Sequence, residues 1–223
     1  MSNPKVYDIA FAFWSLLTTE YEPLTGSIAL ANVSVPFLLS NAAWYPKVGE
    51  LKTVAEWYAR RGLPPAMIVS SQRNPELEQT LQEGPFTLEQ SFRFQSVHLP
   101  SLLRKQNSVV EQTPWTQARV TGDLLAQHYG EPDLGVAIGK SLSEAMQNSS
   151  YIRNYIAYEQ KPVAAMVTFE QNGVLTAMLC SQNNLFSQTL LEEASHVGLE
   201  PYIFDTISDS VNKAFCLERW SIK

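Results

Sequence analysis

Between Val174 and Trp220 the sequence runs VLTAMLC, SQNNLF, SQTLLEEASHVGLEP, YIFDT and ISDSVNKAFCLERW, a succession that reads as strand, loop, helix, strand and helix. Leu190, Leu191, Ala194 and Val197 form one stripe of a repeat of about 3.6 residues, the signature of an amphipathic helix. Thr189 and Glu192 have the spacing of a capping box, and Gly198 stands where a left-handed C-cap belongs. The alternation of strand and helix patterns places the chain in the mixed α/β class.

Other classes are excluded by what the chain lacks. With 223 residues, 45% hydrophobic and 11% aromatic, there is material for a sizeable core. No run approaches the roughly eighteen apolar residues of a membrane span, and MSNPKVYDIAFAFW carries only Lys5 ahead of its apolar run, so neither span nor secretory signal is expected. The cytoplasm is the default compartment. A formal charge of −6 and a pI near 5.1 oppose binding to nucleic acid or an anionic membrane through net charge, since counterion release needs clustered Lys and Arg. Cys180 and Cys216 are expected as free buried thiols without a nucleophilic role. His98, His128 and His196 show no metal-ligand spacing, and no metal is assigned.

From the start, an apolar helix is expected before Pro23, then a strand from Ser27 that leaves its sheet near Pro36. ELKTVAEWYARR is a helix whose Leu51, Val54, Ala55 and Tyr58 share a face; Thr53 and Glu56 repeat the capping-box spacing and Gly62 ends it. PPAMIVS is a strand, NPELEQTLQEG a helix opened by Asn74 and Pro75, and FTLEQSFRFQSV a strand with Phe92 and Phe94 on one face. Trp44, Trp57 and Tyr58 are read as packing residues. Two prolines and mixed polarity mark a linker over 101–114. Beyond it come two helices around the turn Gly130 to Asp133, a hairpin of YIRNYIAYE and PVAAMVTFE, and a turn at Gln171, Asn172 and Gly173 that leads into VLTAMLC. At a constant offset of 136 residues Thr53 falls on Thr189, Glu56 on Glu192, Gly62 on Gly198, Pro65 on Pro201 and Leu81 on Leu217, which reads as a tandem structural repeat.

Two helices, a three-stranded meander, a loop, a helix, a strand and a last helix over 115–223 resemble the GCN5-related N-acetyltransferase (GNAT) family. Residues 1–100 look like a second, shortened copy of that pattern. The resemblance implies a mostly antiparallel mixed sheet flanked by helices in two related halves, with acetyl-CoA between two splayed strands. Its pyrophosphate would rest on amides that open the following helix, where free N–H groups and the helix dipole favour an anion. The family's loop pattern falls on Gln182, Leu185, Ser187 and Leu190; Leu185 stands where the family has glycine. Glu218 and Arg219 match a charge pair that follows the family's last helix. Leu217 stands in place of its thiolate-protonating tyrosine and Ser210 in place of its asparagine. Gly84 and Phe86 resemble a Gly-aromatic pair ahead of the closing strand, so FTLEQSFRFQSV is expected to serve as one.

The cofactor-binding residues implied are Cys180, Gln182, Asn183, Asn184, Leu185, Phe186, Ser187, Gln188 and Ser210. The implied activity is direct transfer of an acetyl or longer acyl group from acyl-CoA to a small-molecule or peptide amine. No base can be chosen; Glu159 and Glu170 are candidates by location, and Glu192 and Glu193 read as a solvated helix face. The alternative, motivated by Leu185 and Leu217, is a non-catalytic scaffold that binds a ligand or a protein. A homodimer through an exposed sheet edge is a further expectation.

Overall fold

The computed structural model describes residues 6–35, 39–70, 75–97, 109–207 and 216–222. In chain order the elements are α1 (Val6–Leu16), β1 (Glu20–Pro23), β2 (Ile28–Ala31), β3 (Ala43–Trp44), α2 (Leu51–Ala59), β4 (Ala66–Ser70), α3 (Pro75–Glu83) and β5 (Phe86–Ser96). They continue with β6 (Val109–Thr113), α4 (Ala118–His128), α5 (Gly135–Asn148), β7 (Ile152–Tyr158), β8 (Pro162–Gln171), β9 (Val174–Cys180), α6 (Asn183–Val197), β10 (Glu200–Ile207) and β11 (Cys216–Ile222). Mostly antiparallel strands flanked by six helices among the described residues make the mixed α/β fold that the sequence pattern calls for. The chain divides into two compact units, a carboxyl unit of residues 95–204 and an amino unit of residues 5–94 with 205–223.

In the amino unit the strand order is β1-β2-β3-β4-β11-β5. β3 and β4 are parallel, and the other neighbours are antiparallel. The helix expected to run through CLERW is instead, from Cys216 on, the strand β11, hydrogen-bonded to β4 on one side and β5 on the other. A strand with neighbours on both edges and cover on both faces shows no polar alternation. All of Cys216, Leu217, Glu218, Arg219 and Trp220 are buried. Burying Glu218 and Arg219 requires partners: Trp220 Nε1 donates to Glu218 Oε2 at 3.0 Å, and Arg219 pairs with Glu89 of β5. Leu217, 2% exposed, is thus a core residue of this unit. Trp220 packs with Val54, Trp57, Tyr58, Met67, Leu77 and Leu81 of α2, β4 and α3.

β5 is the strand expected from FTLEQSFRFQSV, with Phe92 buried. β1 was not foreseen. It pairs only with β2 among the described strands, and its Glu20, Glu22 and Pro23 suit an edge that must refuse further pairing. Thr53 and Glu56 do not form a capping box. The N-cap of α2 is Glu50, and Thr53 is the third helical residue.

The carboxyl unit orders its strands β6-β7-β8-β9-β10, antiparallel up to β9 and parallel between β9 and β10. β6 lies within the segment expected as linker, where Thr113 of β6, Asn154 of β7 and Thr121 of α4 form a buried chain of hydrogen bonds, each 2.8 Å long. The turn at Asn172 and Gly173 takes φ 53° and 80°, the backbone a two-residue hairpin needs. On one face of this sheet α4 and α5 approach so closely that a Cβ on Gly122 would lie 2.3 Å from the Gly135 carbonyl oxygen, and one on Gly139 would lie 2.8 Å from Arg119 Cα. Both clashes are with backbone, which cannot step aside.

Gly122→Ala should therefore cost about 1–3 kcal/mol, the usual range for overpacking. Gly49→Ala, where nothing stands within 4 Å, should stay within about 0.5 kcal/mol of the parent. Urea denaturation of both variants checks this; equal midpoints would contradict the account of the helix contact.

Candidate functional site

β9 carries the residues on which a site would depend. Its ladder with β8 skips a residue: Ala177 pairs with Thr168 and Leu179 with Val167, so Met178 is an extra residue that bulges out of the pairing. A bulge bends its strand and re-aims the groups around it. On the other side the parallel ladder with β10 runs from Val174↔Glu200 to Ala177↔Ile203, ending at the residue before the bulge. β9 goes on to Cys180 and β10 to Ile207, so the two strands part over their second halves. Ser181 closes the far end of β9, its amide donating to the Ala165 carbonyl at 3.0 Å and its Oγ accepting from the Ala165 amide at 2.9 Å.

Helix α6 begins two residues later. It was expected to start near Ser187 after a loop, and instead Asn183 is already helical. Gln182 is the N-cap, on extended backbone at φ −151° and ψ 95°, and its side chain makes no capping bond. The first-turn amides have no acceptor within the helix, which makes this end of α6 suited to an anion. Ser187 and Gln188 sit a full turn inside, where helical geometry gives each amide an acceptor four residues back. Gln188 spends its side chain on Glu192, at 2.8 Å. Phe186 is 1% exposed and packs with Leu190 and Ala194 of α6 on Tyr155, Met166, Leu175 and Ala177, with half-buried Cys180 at the margin. Cys180, Gln182, Phe186, Ser187 and Gln188 are thus gathered around the start of α6. The backbone of Asn183, Asn184 and Leu185 forms its first turn; their side chains, and Ser210, lie outside the described residues. The expected capping pair Thr189 and Glu192 falls mid-helix, while Gly198 ends α6 at φ 70° with its amide directed to the Ala194 carbonyl.

Neither candidate carboxylate is poised as a base. Glu159 is exposed in the β7–β8 turn. Glu170 is held by Arg153 at 2.9 Å, and the same guanidinium reaches Glu193 of α6 at 3.4 Å. Arg153 therefore ties α6 to β7 and β8. Burial pushes the neighbouring Tyr155 hydroxyl up, with the Glu193 charge adding to the effect. Sequence reasoning passed over Arg153; a lone arginine flanked by apolar strand positions was its only signal. Cys180 and Cys216 form no disulfide. No group of three or more metal-ligating side chains occurs among the described residues, and no described helix is long and apolar enough to cross a membrane.

A GCN5-related N-acetyltransferase from Kribbella flavida is similar over 97% of this chain and 95% of its own, with TM-score 0.62 and 11% identity. One from Sphaerobacter thermophilus is similar over 89% of this chain and 77% of its own, with TM-score 0.58 and 12% identity. The fold is that of the GCN5-related N-acetyltransferases. A conserved protein of unknown function from Bacteroides thetaiotaomicron VPI-5482 shares it at TM-score 0.50 and 12% identity, over 100% of this chain and 93% of its own. No family model and no curated protein matches the sequence. In this acetyltransferase fold, β9, α6 and β10 are the elements that the sequence resemblance assigned to the cofactor. Trp44, Trp57 and Tyr58, read as packing residues, are buried to 0%, 1% and 0% exposure in the amino unit.

Arg153→Met should destabilise the chain by about 1–2 kcal/mol, because it strands Glu170 and Glu193 on a partly buried face. Adding Glu193→Gln should restore part of the loss. Chemical denaturation of the single and double variants measures both, and a single variant as stable as the parent would contradict the clamp.

Proposed function

We propose that this chain is a cytoplasmic acyl-CoA-dependent N-acyltransferase that moves an acetyl or longer acyl group directly to a small-molecule or peptide amine. The observation that carries the reading is the end of the β9–β10 ladder at Ala177 and Ile203, beside the Met178 bulge and the uncapped start of α6. Strands that part leave main-chain donors and acceptors facing one another across a gap, which suits a neutral, amide-bearing chain. The first-turn amides of α6 suit the anionic end of the same molecule. The residues present therefore fit an acyl-CoA as co-substrate.

In the reaction a neutral amine attacks the thioester carbonyl, a tetrahedral centre forms and the C–S bond breaks. The amine proton leaves to a base or water, and the departing thiolate takes a proton. The chain's own contribution would be main-chain N–H groups of β9 near the bulge, polarising the carbonyl, and exclusion of water by Met178 and Leu179, 2% and 3% exposed. VLTAMLC brings no titratable group except Cys180, so amines that are already neutral at the working pH are the favoured acceptors. The parallel units β3-α2-β4 and β9-α6-β10 also support reading the amino half as a shortened copy of the carboxyl half.

A second reading, a non-catalytic scaffold that binds a ligand or a protein, is favoured by the winding of Ser187 and Gln188 into α6, which withdraws their amides from any phosphate. The two readings separate in one experiment. An acyl-CoA-binding enzyme should gain about 2.7 kcal/mol of stability at a hundredfold excess of acetyl-CoA over its dissociation constant, and should release free thiol with at least one member of an amine panel. Stabilisation without thiol release would select the scaffold. Neither effect would end the acyl-CoA reading altogether.

A further inference from the structure

The amino unit contains its own parallel strand–helix–strand, β3-α2-β4, and its two strands also part. They pair only at Ala43↔Met67 and Trp44↔Ile68. Then β4 continues to Ser70, while Tyr45 turns away on left-handed backbone at φ 57°. Such backbone is costly for a residue with a Cβ and persists only where its surroundings hold it.

Tyr7 of α1 meets the groups left open by the parting. Its hydroxyl donates to the Ile68 carbonyl at 2.6 Å and accepts from the Tyr45 amide at 2.8 Å, so a single side chain satisfies one main-chain group from each side. Its ring stands edge-on to Trp44 and Tyr45 at 5.2 and 4.7 Å, and Phe11, one turn on, meets the same two rings at 5.7 and 5.2 Å. Tyr45 in turn donates its own hydroxyl to Asp8 at 2.7 Å. Burial raises the Tyr7 hydroxyl above its usual range and keeps it neutral, as a simultaneous donor and acceptor must be. The other common neutral group that offers both functions is a secondary amide. At the start of α2 stands Glu50, 9% exposed, with neither carboxylate oxygen hydrogen-bonded. An acid at a helix N-terminus opposes an anion there.

We propose that the opening between β3 and β4 is a second cradle, for an extended neutral chain that carries an amide, and that Tyr7 occupies it in cis as a plug. Pantetheine, without the nucleotide and its pyrophosphate, is the probe of that chemistry. The comparison of the two openings rests on the acyl-CoA reading of the carboxyl unit, whereas the test does not, because it counts a difference between variant and parent.

Titration of the full chain with pantetheine should show that Tyr7→Ala binds one equivalent more than the parent, whatever the parent binds. A folded Tyr7→Ala chain with the parent's stoichiometry would overturn the proposal. Tyr7→Phe keeps the ring packing and loses only the hydroxyl, so it remains informative where the alanine variant does not fold. Its Tyr45 amide should exchange with solvent about tenfold faster than in the parent, matching the loss of one hydrogen bond. Saturating pantetheine should reverse that increase. An exchange rate that pantetheine does not change would mean that Tyr7 only ties α1 to the sheet, and the cradle would fall. A parent that already binds pantetheine while its Tyr45 amide gains protection would also overturn the plug.

Discussion

Backbone N–H and C=O groups inside a protein must be paired, and a sheet meets that demand only while its strands run side by side. Where two parallel strands part, each leaves donors and acceptors that something else has to meet. In the carboxyl unit the parting follows Ala177 and Ile203 and coincides with the Met178 bulge, which turns β9 away from regular pairing. In the amino unit it follows Trp44 and Ile68, and the left-handed turn at Tyr45 produces it. The two partings are answered differently. Tyr7 fills one from within the chain, and the other adjoins a helix start whose cap residue contributes no side-chain bond.

The amino unit depends on residues from the far end of the sequence. β11 supplies the strand between β4 and β5, and without it both would be edges. Its two charged residues are affordable in that position because each has a partner, Glu218 in Trp220 and Arg219 in Glu89. Closing so long a loop brings its ordering cost before its reward, so pairing of β11 belongs late in the assembly of this sheet.

Much of the fold was legible because it follows local rules. Period-two runs gave β7, β8 and β9, Asn172 and Gly173 marked their turn, and Gly198 marked the end of α6. The start of α6 was hidden because Ser181, Gln182, Asn183 and Asn184 are residues whose side chains compete for backbone hydrogen bonds and favour turns. Burial of Phe186 against the sheet outweighs that local preference. β11 was hidden for the opposite reason: burial on both faces removes alternation, and Leu217 and Trp220 three residues apart imitate a helical stripe. β1 carried no apolar signal at all, as suits an acidic edge with a proline. The ion-pair clamp at Arg153 and the Tyr7 contact join residues far apart in sequence, and no local pattern announces either.

The central claim is that the opening beside Met178 and the first turn of α6 receive one and the same molecule. Amide resonances followed during an acetyl-CoA titration test it most directly. The account predicts that the amides of Met178, Leu179 and Cys180 move together with those of Asn183, Asn184 and Leu185, with one shared midpoint, while Val174 to Ala177, already paired with β10, stay in place. Binding that leaves both groups unmoved, or that shifts the helix start without the strand, would contradict it.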